Sequence, residues 1–507
     1  MTKFSAPLAT TAHPQLQELR EILAQVNDLS SASALLHWDQ ATYMPAGGAA
    51  ARGRQLATLS RLAHETFVHP RVGELLENLR DLESEVDSDG FEAALIRVTR
   101  RDYEKAARIP TEFEARMSEH SAIAYETWTR ARPANDWNLI CPTMEKTLDL
   151  SRELASFTPH EHPADPLIDD SDPGFSAAQI SALFSELRDE LVPLVREITS
   201  QPPADDAVLR GHFDVKAQRR FARQVVGDFG YSFERGRIDA THHPFMTKFS
   251  LGDVRITIRE DDAEVSSLLL GAMHEAGHGM YEQGISPIYE ATPLAHGASS
   301  GLHESQSRLW ENFVGRSPAF WQHYYPMFQR AFSQFDDVPM DAFLTALNRS
   351  ERTLIRTESD ELTYNLHVMI RFDLELQMLD GRLQIADLPD AWDARYLADL
   401  GVQVPDYANG CLQDVHWFMG AIGGAFQCYT LGNILSAQFY EAATRAHPSI
   451  EDDMARGEFG ALRDWLTGNL YRFGRAREPQ QLIESAIGGP LQIGPYMNYL
   501  RGKYGAS

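Results

Sequence analysis

Three cysteines in 507 residues, Cys141, Cys411 and Cys428, are too few to staple a chain of this size, and none stands in a CxxC pair. They cannot all pair with one another and they form no metal knuckle, so a reducing compartment suits them. Long hydrophobic runs are also missing: no stretch reaches the roughly eighteen apolar residues needed to cross a bilayer. The start, "MTKFSAPLATTAHPQLQ", has one lysine and no apolar segment behind it. A secretory signal is therefore not expected, and a cytoplasmic location is. Positive charge is scarce. Against 72 Asp and Glu stand 46 Lys and Arg, a formal net charge of -26. A surface this acidic repels phosphate backbones and anionic lipids, which argues against nucleic-acid and membrane partners. Internal repeats and low-complexity tracts are absent too.

What is present is helical periodicity over most of the length. "PQLQELREILAQVNDLSSASALLHWD" and "AAQISALFSELRDELVPLVREITSQ" repeat apolar residues three and four apart with charges between them, and residues 100–157 behave similarly. Pro- and Asp-rich breaks at 157–175 and 200–208 read as loops within one body, because helical pattern resumes on both sides. One region departs from this pattern. "HHPFMTKFSLGDVRITIRE" (242–260) alternates and carries Val254, Ile256, Thr257 and Ile258, which predicts a small antiparallel sheet in an otherwise α protein. A peptide can pair with an exposed strand edge, so the position of this sheet matters.

Directly after it comes "GAMHEAGHGMYEQG" (271–284), within a predicted helix over 264–283. Residues four apart share a helix face about 5–6 Å apart, so His274 and His278 can turn their imidazoles toward one ion. Glu275 projects beside them and can reach water held there without being a ligand, the arrangement that metal-assisted peptide hydrolysis requires. An HExxH string can arise by chance, but Gly271, Gly277 and Gly279 strengthen the reading. Each costs a helix up to about 1 kcal/mol relative to alanine, and such glycines make sense where another backbone or a substrate comes close.

A catalytic zinc needs a third protein ligand. The extended HExxHxxGxxH form is excluded, since Tyr281 and Gly284 occupy the places of its glycine and histidine. Glu282, Glu290 and Glu304 remain. Three ligands spread from 274 to 282 on a straight helix would span about 12 Å, too far for one ion. Glu290 lies in the turn-like "SPIYEATP". Glu304 lies in "ASSGLHESQSRLWENFVG", with Ser299 or Ser300 as N-cap and Gly315 as stop, so a second helix could carry it across the first. Spacing favours Glu304; the competing reading pairs it with Arg308 at i+4 on a solvated face.

The ordered set "DVRIT" (253–257), "HEAGH" (274–278), "HESQ" (303–306), "IRTESDELTYNLH" (355–367) and "GCLQDVHW" (410–417) resembles the M32 family of metallocarboxypeptidases, the carboxypeptidase Taq group. That family carries DxRxT, HExxH, HES(G)Q, IRxxAD and GxxQDxHW in this order. The early "LLHWDQATYMPAGGAAARGRQ" and the late "YLRGKY" also look like it, so the likeness runs nearly end to end. It implies one peptidase domain over 1–507, with room for two lobes: an extended helical zincin-like body with a deep groove and a small sheet beside the HExxH helix. It further implies a homodimer that removes single residues from peptide C-termini with broad specificity, proline generally excepted. His274, His278 and Glu304 correspond to zinc ligands and Glu275 to the catalytic glutamate. Two departures stand out. Ser359 replaces the alanine of IRxxAD, and Ala425 and Gln427 replace the tyrosine and proline of a GYFPTY-like stretch in which Tyr429 remains.

Within that scheme, zinc (or cobalt or manganese on the same ligands) acidifies water and polarises the scissile carbonyl. Glu275 moves the proton. His416 and Tyr429 are candidates to steady the developing oxyanion. A free C-terminal carboxylate suits an arginine fork, for which Arg356 is favoured over Arg255, while Gln413 and Asp414 line the groove. Arg356 could instead pair with Asp360, and Arg255 with Asp253. Two rivals stay open: a zinc endo-oligopeptidase with the same ligands, and a helical peptide-binding protein that has lost catalysis.

Overall fold

A computed structural model describes residues 13–85 and 90–505; the opening segment considered above as a signal lies, up to Ala12, outside the described residues. The long periodic stretches fold as read, into helices Pro14–Thr42 and Ala177–Ile198. Residues 91–156 divide into Phe91–Arg108, Thr111–Ala134 and Trp137–Ser156. The Pro- and Asp-rich break at 157–175 is a loop that holds one short helix, Asp165–Ser171.

The sheet lies where the alternation placed it, but it is mixed. Strand β2 (Met246–Ser250) pairs antiparallel with β3 (Asp253–Ile258), as expected, and β1 (Ile238–Ala240) adds a parallel partner on the other side of β3. A strand of three residues with one large apolar side chain leaves no alternation to detect. The order β1–β3–β2 makes β2 an edge.

Among the described residues, apolar burial gathers in three clusters. One packs Trp137–Ser156 and Ala177–Ile198 against Tyr364–Leu379. A second surrounds the HExxH helix, with Val215–Phe229 and the aromatic-rich Pro318–Ala331. A third lies under the N-terminal helices. Helix Gln427–Ala446 serves two of them, sending Leu431, Ile434 and Ala437 into the first and Leu435, Phe439 and Ala443 into the second. Helices apolar on more than one face are interior helices, and this one runs through the middle of the molecule.

The HExxH helix spans Ser266–Gly284. Glu264 ends the chain's approach to it, its carboxylate accepting from the Ser266 and Ser267 amides at 3.0 and 2.6 Å. Of its three interior glycines, Gly277 is the one a neighbouring backbone requires. A Cβ there would stand 2.5 Å from the Gln306 carbonyl oxygen and 2.7 Å from Ser307 Cα, on helix Ser300–Arg308. Gly279 faces the Tyr231 ring, and Gly271 faces open space, so the close-approach argument does not extend to Gly271. The other side of Ser300–Arg308 meets Gly432, where a Cβ would lie 2.6 Å from Glu304 Cγ. Two glycines on two helices thus hold the short helix between them.

These contacts set opposite expectations for two alanine substitutions. Gly277→Ala forces the helices apart and should destabilise the fold by about 1–3 kcal/mol. Gly271→Ala, with nothing within 4 Å of the added carbon, should stabilise it by up to about 1 kcal/mol through helix propensity. Urea denaturation of both variants checks the sign of each effect.

Candidate metal centre

His274 and His278 leave the HExxH helix on the face that meets Ser300–Arg308, and Glu304 answers from that second helix. Ser299 caps it by accepting from the Leu302 amide at 3.1 Å. Glu304 Oε2 lies 3.7 Å from His274 Nε2 and 3.4 Å from His278 Nε2. One ligand atom from each of the three residues falls within 4.8 Å of the others. Two imidazole nitrogens and one carboxylate oxygen form a donor set suited to a borderline divalent ion. Glu275, which interacts electrostatically with His274 and Glu304, has Oε2 buried and without a hydrogen-bond partner in the protein. An orphaned carboxylate oxygen beside three convergent donors fits a site built to hold an ion and a polar reactant.

The surrounding charges and burial shift the protonation of that set. Burial works against ionisation of Glu304, but Arg308, bonded to it at 2.7 Å, and then His274 outweigh it and hold the carboxyl well below the usual range. The i+4 pairing of Glu304 with Arg308 therefore exists, on a buried face, and leaves Oε2 turned to the histidines. Glu311 accepts from Arg308 at 3.3 Å and meets His274 Nδ1 at 2.9 Å. Burial raises its carboxyl, and Arg308 and His274 bring it down to about 2. Burial lowers the His278 imidazole to about 4. Burial acts the same way on His274, but Glu304 and Glu311 outweigh it and raise that imidazole. Holding an ion would require both rings neutral. Glu311 sits in a π-helical turn, Leu309–Val314, that continues Ser300–Arg308. Such turns are rare and tend to occur at functional sites.

The rejected carboxylates lie elsewhere. Glu282 takes Lys248 of β2 at 2.6 Å and His303 at 3.0 Å, and Glu290 accepts from the Leu251 amide at 3.0 Å. His303 in turn meets His278, Nδ1 to Nδ1, at 2.5 Å. Neither His303 nor Glu311 was singled out from the sequence. Their signals were there: His303 adjoins Glu304, and Glu304, Arg308 and Glu311 follow the four-and-three spacing of one helix face.

A second polar cluster joins the IRTESD and QDVHW segments. Arg356 donates to Asp414 through Nε and Nη2, the latter at 2.6 Å, and to the Tyr364 hydroxyl at 3.0 Å. Its partner is thus Asp414 rather than Asp360, which caps Leu362 and Thr363. Arg371, also not foreseen, holds Asp414 at 2.5 Å and Gln413 at 2.8 Å. Gln413 and Asp414 are both buried. His416 Nε2 faces the Tyr429 hydroxyl at 3.3 Å, and Arg356 stacks on the Tyr429 ring. Tyr364 links the two clusters, since Arg308 lies over its ring. Arg255 stands apart from this group: it pairs with Asp253 at 2.7 Å and stacks on Trp38 and Phe249.

Of the two departures near Tyr429, Ala425 lines a shallow surface hollow with His416 and Met419. Gln427 points inward. Its amide donates to Ser171 Oγ at 2.7 Å, Asp172 Oδ2 at 3.1 Å and the Gly424 carbonyl at 2.9 Å. Asp172 Oδ1 accepts from the Gly301 amide at 2.7 Å, in the first turn of the helix that carries Glu304.

Burial pushes the Glu275 carboxyl up from 4.5 to about 7. Its folded pKa lies above the unfolded one, so the ion-free folded protein holds the extra proton in that window and loses stability as pH rises through it. Glu275→Gln removes this penalty. The ion-free variant should be more stable than wild type at pH 8, by up to about 3 kcal/mol, with the gap closing toward pH 4.5. Thermal melts in chelator across that range check it.

The family profile described as "Carboxypeptidase Taq (M32) metallopeptidase" matches residues 18–504. Thermostable carboxypeptidase 1 of Thermus thermophilus is 38% identical, over 98% of this chain and 99% of its own. Carboxypeptidase 1 of Bacillus subtilis is 34% identical, over 97% and 98%. The crystal structure of an M32 carboxypeptidase from Deinococcus radiodurans R1 superposes with a TM-score of 0.94 at 46% identity, covering 97% of this chain and 99% of that one. With three convergent donors on crossed helices and a likeness spanning the whole length, the chain belongs to the M32 family of metallocarboxypeptidases.

Proposed function

We propose that this metallocarboxypeptidase is a zinc enzyme that removes single residues from the C-termini of peptides with broad specificity, using Glu275 as its general base. His274, His278 and Glu304 would hold the ion, with cobalt or manganese as substitutes on the same donors. The observation that carries the reading is the convergence of these three donors beside a buried Glu275 oxygen that has no partner. A bound zinc ion supplies Lewis acidity, polarising a carbonyl and acidifying water.

The remaining work falls to the chain. Glu275, with a carboxyl near neutrality in the ion-free protein, is matched to taking a proton from attacking water and handing it to the departing amine. The pair His416 and Tyr429 supplies donors for the charge that develops on the carbonyl oxygen. Arg356 is steered by Asp414 and Tyr364 but keeps N–H groups on its terminal nitrogens for a substrate carboxylate. Gln413 and Asp414 serve the groove by fixing that arginine. Arg255, tied to Asp253 and Trp38, is the weaker candidate for the same carboxylate. Residues 1–507 act as one peptidase domain, with room for two lobes, and the working form is a cytoplasmic homodimer. Among the described residues no helix is long and apolar enough to cross a membrane.

Two measurements test the chemistry, and a third the assembly. Metal-loaded protein should release the C-terminal amino acid from a blocked dipeptide and leave its C-terminal amide intact. Equal cleavage of the amide would overturn the exopeptidase reading. Glu275→Gln should lower kcat by about 10²–10⁴-fold while still taking up one ion per chain; unchanged turnover rules out Glu275 as the base. Light scattering at working concentration should give twice the mass of one chain, and a single-chain mass would exclude the homodimer.

A further inference from the structure

We infer that His303 is a positioning residue for the metal centre, the middle member of a half-buried chain from His278 through His303 to the buried Glu282 that fixes the proton on the outer nitrogen of His278. The inference rests on the ligand set proposed above. Both Nε2 atoms of the HExxH pair face Glu304 Oε2, so each ring turns its Nδ1 away from that centre. A histidine that gives Nε2 to an ion must carry its hydrogen on Nδ1, and that hydrogen needs an acceptor. For His274 the acceptor is the Glu311 carboxylate at 2.9 Å. For His278 it is another imidazole.

The His278–His303 contact joins two Nδ1 atoms 2.5 Å apart, and only one of them can hold the hydrogen. Donation from His278 leaves His303 with its own hydrogen on Nε2, which points at Glu282 Oε1 at 3.0 Å. Every group in the row is then satisfied in a single direction, ending on a carboxylate. Glu282 also accepts from the Gly297 amide at 2.9 Å and from Lys248 at 2.6 Å. The opposite direction would strip the hydrogen from His278 Nδ1 and place it on His303. That leaves either His303 charged or its Nε2 lone pair against the Glu282 oxygen.

Shape enforces the same arrangement. A Cβ on Gly297 would stand 2.6 Å from His303 Cδ2, so the 295–298 backbone closes on the ring, and Tyr281 lies against it with ring centres 5.1 Å apart. The relay also answers a charge constraint. Glu304 and Glu311 already place two carboxylates against the histidines with Arg308 between them. The intervening imidazole lets Glu282 support His278 without bringing a third carboxylate into direct contact with it.

The test measures ion retention, independently of turnover. Zinc-loaded wild type, His303→Phe, His303→Asn and Glu282→Gln are diluted into excess chelator, and zinc release is followed with a colorimetric indicator. His303→Phe keeps the ring and loses the acceptor; it should release zinc about 10–100-fold faster. His303→Asn offers an amide oxygen near the Nδ1 position and should recover much of the retention. Glu282→Gln should fall between the two. Circular dichroism of the ion-free proteins establishes that each is folded, and should His303→Phe not fold, Glu282→Gln and His303→Asn carry the comparison. Release from folded His303→Phe at the wild-type rate overturns the inference, as does His303→Asn releasing as fast as His303→Phe. A wild type that takes up no zinc, or a His274→Ala variant that holds it equally well, overturns the ligand set itself.

Discussion

The centre depends on one close crossing of helices. Ser300–Arg308 lies against the HExxH helix where Gly277 has no side chain, and against Gln427–Ala446 where Gly432 has none. Interiors are packed as densely as organic crystals, so a gap of one methyl group on either side is enough to shift the helix. Glu304 meets Gly432 directly and lies two residues before the backbone that meets Gly277. Its distance to His274 and His278 is therefore set by backbone approach, and the donors converge without a flexible loop among them.

Charge is the second constraint, and the molecule meets it in the same way twice. At the centre, Arg308 sits between Glu304 and Glu311. In the neighbouring cluster, Asp414 sits between Arg356 and Arg371. A buried ion left alone is expensive, whereas a charge-assisted fork satisfies both the charge and the donors. Tyr364 touches both arrangements through Arg308 and Arg356. The two polar groups consequently hold fixed positions relative to each other, which is what an enzyme needs if one group is to meet the scissile bond and the other the end of the peptide.

How much could be read beforehand followed from the range of each interaction. The HExxH face, the Ser299 cap and Glu304 on a second helix were legible, because helical spacing dictates them and because the motif order resembled a known family. Glu282 was excluded as a ligand by distance along a single helix, and it indeed faces Lys248 and His303 instead. Contacts between distant segments were not legible. Arg356 finds Asp414 rather than the nearby Asp360, and Gly271 has no neighbour although its sequence setting matches that of Gly277. The parallel strand β1 escaped because its three residues carry no period. His303 was hidden for another reason: its contacts with His278 and Glu282 exist only because its helix lies against the HExxH helix.

Gln427 has a consequence for anyone reshaping the groove. By position it belongs to the surface segment beside His416 and Tyr429, where substitutions aimed at substrate preference would first be tried. By contact it belongs to the interior, since its amide holds Asp172, and Asp172 holds the first turn of the helix bearing Glu304. Randomising that position in a library would select on the placement of Glu304 as much as on preference. Ala425, on the open hollow two residues away, is the position where the two can be varied separately.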